Sequence, residues 1–185
     1  MRIDKFTTKF QQALADAQSL AIGSDQQFIE PQHLLLALIN QDDGGTTSLL
    51  ARAGVNVPGL KRDLEQALTR LPKVEGHGGD VSIGRDLGNL LNLTDKEAQK
   101  RGDQFIASEM FLLALGEDKG EAGRLAKQHG LSRKALEAAI MAVRGGQGVD
   151  SQEAEGQRES LKKYCIDLTE RAEQGKLDPV IGRDD

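Results

Sequence analysis

Tryptophan is absent from this 185-residue chain, aromatic residues make up only 3% of it, and there is a single cysteine. With five Phe and one Tyr, the core has to come from Leu, Ile and Ala, a composition that favours helices over sheets. Cys165 has no partner for an internal disulfide, which suits a reducing compartment, and no His lies near it in sequence, so it reads as a small apolar filler. No run approaches the roughly 18 apolar residues that a membrane-spanning helix needs. The opening MRIDKFTTKFQQALADAQSL has no apolar h-region and is not a signal peptide. A soluble, cytoplasmic protein is expected.

Basic excess is missing too. Lys and Arg number 24 against 29 Asp and Glu, for a formal charge of −5 and a pI near 5.3, which excludes the phosphate-neutralising face of a nucleic-acid binder. The phosphate-cradling pattern GxxxxGK[ST] does not occur, so no nucleotide site is expected within these residues. His33, His77 and His129 are scattered, one at a helix start, one in a Gly-rich join and one before a helix stop; they read as solvated or capping residues, with no metal site. Asp42-Asp43 and Asp184-Asp185 have no apolar surroundings to raise a pKa and read as solvated charge. No catalytic residue is assigned.

What is present is a duplication. QFIEPQHLLLAL from Gln27 and QFIASEMFLLAL from Gln104 share seven of twelve residues at an offset of 77. The match continues upstream, Phe10 over Leu87, Leu14 over Leu91 and Ala21 over Ala98, and downstream after a one-residue slip, Gly54 over Gly130 and Leu60 over Leu136. Within a copy the period is helical: Phe6, Phe10, Ala13, Leu14, Ala17 and Ala21 form one stripe. Pro31 suits the first turn of a second helix, and Ser108 is expected to N-cap its counterpart. A short helix over 48–53 stops at Gly54, and a last helix over 57–71 carries Leu60, Leu64, Ala67, Leu68 and Leu71 on one face. The expected fold is all-α, two four-helix repeats related by a pseudo-twofold. Residues 1–145 form the domain, with repeat one over 1–71, repeat two over 83–144 and a flexible join over 72–82 between them. Residues 146–160, Gly-rich and charged, read as a linker.

Helical patterning resumes at Leu161, and the segment KKYCIDLTERAEQGKLDPVIGRDD resembles the opening of the first ATPase module in the Clp/Hsp100 family. The double repeat before it agrees, and MRIDKFTTKFQQALADAQSLA with GKLDPVIGRD looks more like the disaggregase branch of that family than the protease-partner branch. Cys165 departs from the small residue expected there. The resemblance implies a substrate-recognition domain followed, at 161–185, by a truncated start of an AAA+ module. Val180 and Ile181 would then line the adenine pocket of a longer protein that uses ATP and magnesium, assembles as a homohexamer and cooperates with the Hsp70 (DnaK) system; no cofactor is implied for the fragment itself. Its partners would be unfolded or aggregated proteins, bound weakly, since a short groove on one domain cannot bury a standard interface of about 800 Å² per partner. No nucleic acid and no membrane are implied. An adaptor-docking module of a Clp protease-type ATPase is the alternative, and a spacer that binds nothing is a third reading.

The duplication suggests where binding occurs. Leu93 aligns with Asp16 and Met110 with His33; an apolar residue opposite a polar one in the other copy is expected on the surface. Leu93 and Met110 are therefore candidate client-binding residues, with Leu90 as a flanking wall, unless they close the seam between repeats. The resemblance adds a polar surface constellation, Thr7, Asp103 and Glu109.

Overall fold

A computed structural model describes residues 3–74, 80–145 and 148–149. After a single 3-10 turn, Ile3–Lys5, the first repeat runs α1 (Thr8–Gly23), β1 (Phe28–Ile29), α2 (Pro31–Ile39), α3 (Gly45–Arg52) and α4 (Val57–Thr69). The second runs β2 (Ser82–Ile83), α5 (Arg85–Lys100), α6 (Ser108–Leu115), α7 (Glu121–Gln128) and α8 (Arg133–Arg144). The four-plus-four helical architecture is as expected, and the two-residue strands are the addition. None of the helices among the described residues is long and apolar enough to cross a membrane.

The two duplicated LLAL segments are the centre of the molecule. Every residue of α2 and of α6 is buried, because each helix is covered on all sides: α1 and α4 pack on α2, and α5 and α8 on α6. A helix apolar all round has no other stable place. Phe10 on α1 packs against Phe6, ring centroids 4.8 Å apart, and against Phe111 on α6 at 6.1 Å, which joins the repeats through aromatic contact.

The pseudo-twofold shows in reciprocal pairings. α3 packs on α8, and the mate of that contact, α4 on α7, is also made. Phe6 bridges Ile106 in parallel, and its mate, Ile83 beside Ile29, belongs to the parallel pair β1–β2. Each repeat thus lends its leading strand to the other. That exchange recruits Ser82 into β2, at the edge of the join expected to be flexible; the Val74 amide, within the same join, donates to the Asp25 carbonyl at 2.8 Å. Near the pseudo-axis Gly130 has φ +108°, and a Cβ there would stand 2.9 Å from the Gly54 carbonyl oxygen, so both the backbone conformation and the space require glycine.

One local expectation changes. Ser108 is the first residue of α6, not its cap; Ala107 holds the cap position, as Glu30 does for α2, so Ser108 stands where Pro31 stands. At the end of the expected domain Gly145 closes α8 in the left-handed conformation, and Val149 beyond it is buried against the loop before α6. The rest of the expected linker and the 161–185 segment, with Val180 and Ile181, lie outside the described residues.

Candidate functional site

Leu93 is 42% exposed on α5, whereas Leu90 and Met110 are buried. The helical turn explains Leu90, which shares the inward stripe with Leu87, Leu91 and Thr94. Met110 is a correction with a clear cause. Its mate His33 is polar but fully buried, so polarity in one copy did not mark a surface position. The His33 Nδ1 accepts the Glu30 amide proton at 2.9 Å, leaving Nε2 to donate to Gln26 Oε1 at 2.6 Å, and Gln26 Nε2 donates in turn to the Leu68 carbonyl at 2.7 Å. Burial lowers the His33 pKa to about 4, keeping the imidazole neutral as this relay requires. The expectation of a solvated or capping histidine fails in its solvated half only.

The side chains of the polar constellation likewise lie below the surface. Thr7 is fully buried as the cap of α1: its Oγ1 accepts from the Phe10 amide at 3.2 Å, and its own amide donates to the Ile106 carbonyl at 2.9 Å. The Asp103 side chain is fully buried and Glu109 nearly so. The structure brings both acids onto one cation, Arg144, the last residue of α8. Arg144 Nη1 donates to Asp103 Oδ1 at 3.1 Å, Nη2 lies 2.9 Å from Asp103 Oδ2, and Nε donates to Glu109 Oε1 at 3.0 Å. Burial works against the guanidinium charge, yet Glu109 and Asp103 outweigh it and hold the Arg144 pKa above its ordinary value. Glu109 also lines a narrow cleft at the seam, shared with Lys9, Asp43, Arg52 and Leu112. Glu109 thus lies at the seam between the repeats, while the Thr7 and Asp103 side chains are turned inward.

Arg144 was missed, and the duplication held the signal. In the first copy the positions of Asp103, Glu109 and Arg144 are Gln26, Gln32 and Leu68. Two neutral amides became two acids while an apolar residue at the end of the last helix became a cation, a compensated change that names the ion partners.

The first copy has an open groove between α1 and α2, lined by Asp16, Ser19, Leu20, Gly23, Ala37 and Asn40. In the second copy the mates of Leu20 and Asn40 are Glu97 and Glu117, and Arg133 ties them together. Arg133 reaches Glu97 through two hydrogen bonds of 2.8 and 2.7 Å, which lower the pKa of that buried carboxyl. Leu93 stands where Asp16 lines the first groove. Among the described residues no group of three or more His, Cys, Asp or Glu side chains could hold a metal ion.

Residues 5–129 match the family model of the Clp repeat N-terminal domain. Over all 185 residues the chain is 56% identical to the chaperone protein ClpB of Vibrio cholerae serotype O1 and 51% identical to that of Pseudomonas putida, spanning 22% of the length of each. Among solved structures, the N-terminal domain of Hsp104 from Candida albicans superposes with a TM-score of 0.71 at 24% identity, covering 82% of this chain and 99% of that one. The N-terminal domain of the ClpV1 ATPase from E. coli gives 0.67 at 23% identity, covering 77% of this chain and 88% of that one. At such identities the two structures speak for the fold alone.

Proposed function

The chain belongs to the family of Clp repeat N-terminal domains, and we propose that it is the client-receiving domain of an ATP-dependent protein disaggregase, binding unfolded or aggregated polypeptide weakly through the Leu93 surface of α5. The observation that carries the reading is the 56% identity, without a break in coverage, to a chaperone of which this chain matches about a fifth. Exposed Leu93 supports the placement, since its mate in the first copy is Asp16. A large apolar side chain held out on a rigid helix offers side-chain contact to many sequences and demands none in particular. ATP and magnesium, the hexameric ring and cooperation with DnaK belong in this proposal to the remainder of the longer protein. The domain would deliver polypeptide to that ring in the cytoplasm.

The test is an NMR titration of the chain with an unfolded client protein. Shifts that cluster on α5 around Leu93 and saturate at micromolar or weaker affinity are expected. Tight binding of a folded adaptor, with no response to unfolded chains, would favour the docking role instead, and no response to either would leave a spacer.

A further inference from the structure

We infer that Asp103, Arg144 and Glu109 form an internal clasp that fixes where the chain leaves the domain, by pinning Val149 against the loop between α5 and α6. Gly145 ends α8 with φ +59°, and Val149, four residues on in sequence, lies against the loop between α5 and α6. The Val149 amide donates to Asp103 Oδ1 at 3.2 Å, and the Val149 carbonyl accepts from the amides of Gln104 at 2.9 Å and Phe105 at 3.1 Å. Its side chain is 1% exposed. Asp103 Oδ1 therefore accepts from two donors, the Arg144 guanidinium at the end of α8 and the backbone of the returning chain. Glu109, at the start of α6, braces Arg144 from the other side.

The first repeat shows that the return is built into the fold. There the Gln26 amide holds the end of α4 through the Leu68 carbonyl, and Val74 returns to Asp25. The first copy makes this closure with neutral groups, and its chain goes on into β2. The second copy makes it with a buried ion triad, and its chain goes on into residues 150–185. The role of Asp103 and Glu109 is accordingly to position the exit of the chain, and it does not depend on where clients bind.

The test is amide hydrogen exchange by NMR on the 185-residue chain, comparing wild type, Asp103→Ala and Val149→Asp. The second substitution sets an acid at a buried position beside Asp103 while leaving the triad intact. In the wild type the Gln104 and Phe105 amides are expected to exchange at least tenfold slower than in an unfolded chain. Both substitutions should remove that protection while the α6 amides stay protected. Unchanged protection of Gln104 and Phe105 in Val149→Asp, or no protection in the wild type, overturns the clasp. If Asp103→Ala does not fold, Val149→Asp still decides. Client affinity is not read, so failure of the client-binding reading leaves this result untouched.

Discussion

His33 Nε2 donates to Gln26 Oε1 at 2.6 Å in the sealed interior of the first repeat, while Nδ1 accepts from the Glu30 amide, a role only the neutral imidazole can fill. A second proton would go to Nδ1, which already accepts from the Glu30 amide, so charging the ring breaks one hydrogen bond and buries an ion.

Stability should therefore fall on acidification in a window set by His33. Its folded pKa is depressed from 6.5 to about 4, so the unfolded chain binds the proton first. The His33 contribution is complete above about pH 6.5 and is lost progressively towards pH 4, by roughly 3 kcal/mol from a shift of this size. His33→Met, which installs the residue of the second copy, removes the titration. Urea unfolding at several pH values checks it: the stability of wild type relative to His33→Met should drop across pH 6.5 to 4. A pH-independent difference would mean that His33 does not titrate as its burial requires.

Leu93 and Met110 should separate cleanly. Leu93→Ser is expected to change unfolding free energy by less than about 1 kcal/mol, as exposed positions do, and to weaken client binding several-fold. Met110→Ala empties a buried site and should cost about 2 to 5 kcal/mol. Denaturant unfolding of both variants, with the client titration of Leu93→Ser, decides; a loss above about 3 kcal/mol for Leu93→Ser would place that residue in the core.

Arg133 should be worth more than a surface arginine. Its two hydrogen bonds go to Glu97, which is buried, so Arg133→Met leaves an acid without its cation and should cost about 2 to 3 kcal/mol. Glu97→Gln with Arg133→Met removes the stranded charge and should recover part of the loss. Because the bond from Arg133 lowers the Glu97 pKa, this contribution is present above the ordinary carboxylate range and disappears as pH falls through the depressed value. Equal stability of single and double variants would show that the pair is solvent-screened.

The helices and their central pair were legible because the apolar period repeats twice, and seven identities at one offset define the same structural unit in both copies. Leu93 was legible as an outward position from its alignment with Asp16 in the other copy. Met110 was not legible as buried because the polarity of its mate His33 was equated with exposure, and the resemblance that supplied Thr7, Asp103 and Glu109 says nothing of their burial. Their partners come largely from tertiary contact: Gln26 ties His33 to the Leu68 carbonyl, the Thr7 amide donates to the Ile106 carbonyl, and Asp103 meets Arg144 across 41 residues. Such partners leave no period in the sequence, though the exchange of Gln26, Gln32 and Leu68 for Asp103, Glu109 and Arg144 does leave a trace when the copies are compared.

That same comparison predicts a coupling between Gly84 and Glu30. The mates of these residues are Ala107 for Glu30 and Thr7 for Gly84, so the symmetry-related pair Thr7–Ala107 carries a side chain where Gly84 has none and only a methyl where Glu30 has a carboxylate. Gly84 has ordinary extended backbone, φ −69° and ψ 163°, so its glycine is not needed for conformation. It is needed for room, because a Cβ on Gly84 would stand 2.7 Å from Glu30 Oε1. Glu30 is the capping residue of α2 and turns its carboxylate towards the His33 amide in a capping box, so pushing it aside disturbs that helix start. Gly84→Ala should thus cost about 1 kcal/mol, the size of a lost cap, and Glu30→Ala a similar amount. With Glu30 already Ala, the pair resembles its mate Thr7–Ala107 and Gly84→Ala should be close to neutral, giving a coupling of about 1 kcal/mol. Urea unfolding of the two single variants and the double measures it directly. Strict additivity of the two costs would show that the carboxylate swings clear and that Gly84 is not kept for Glu30.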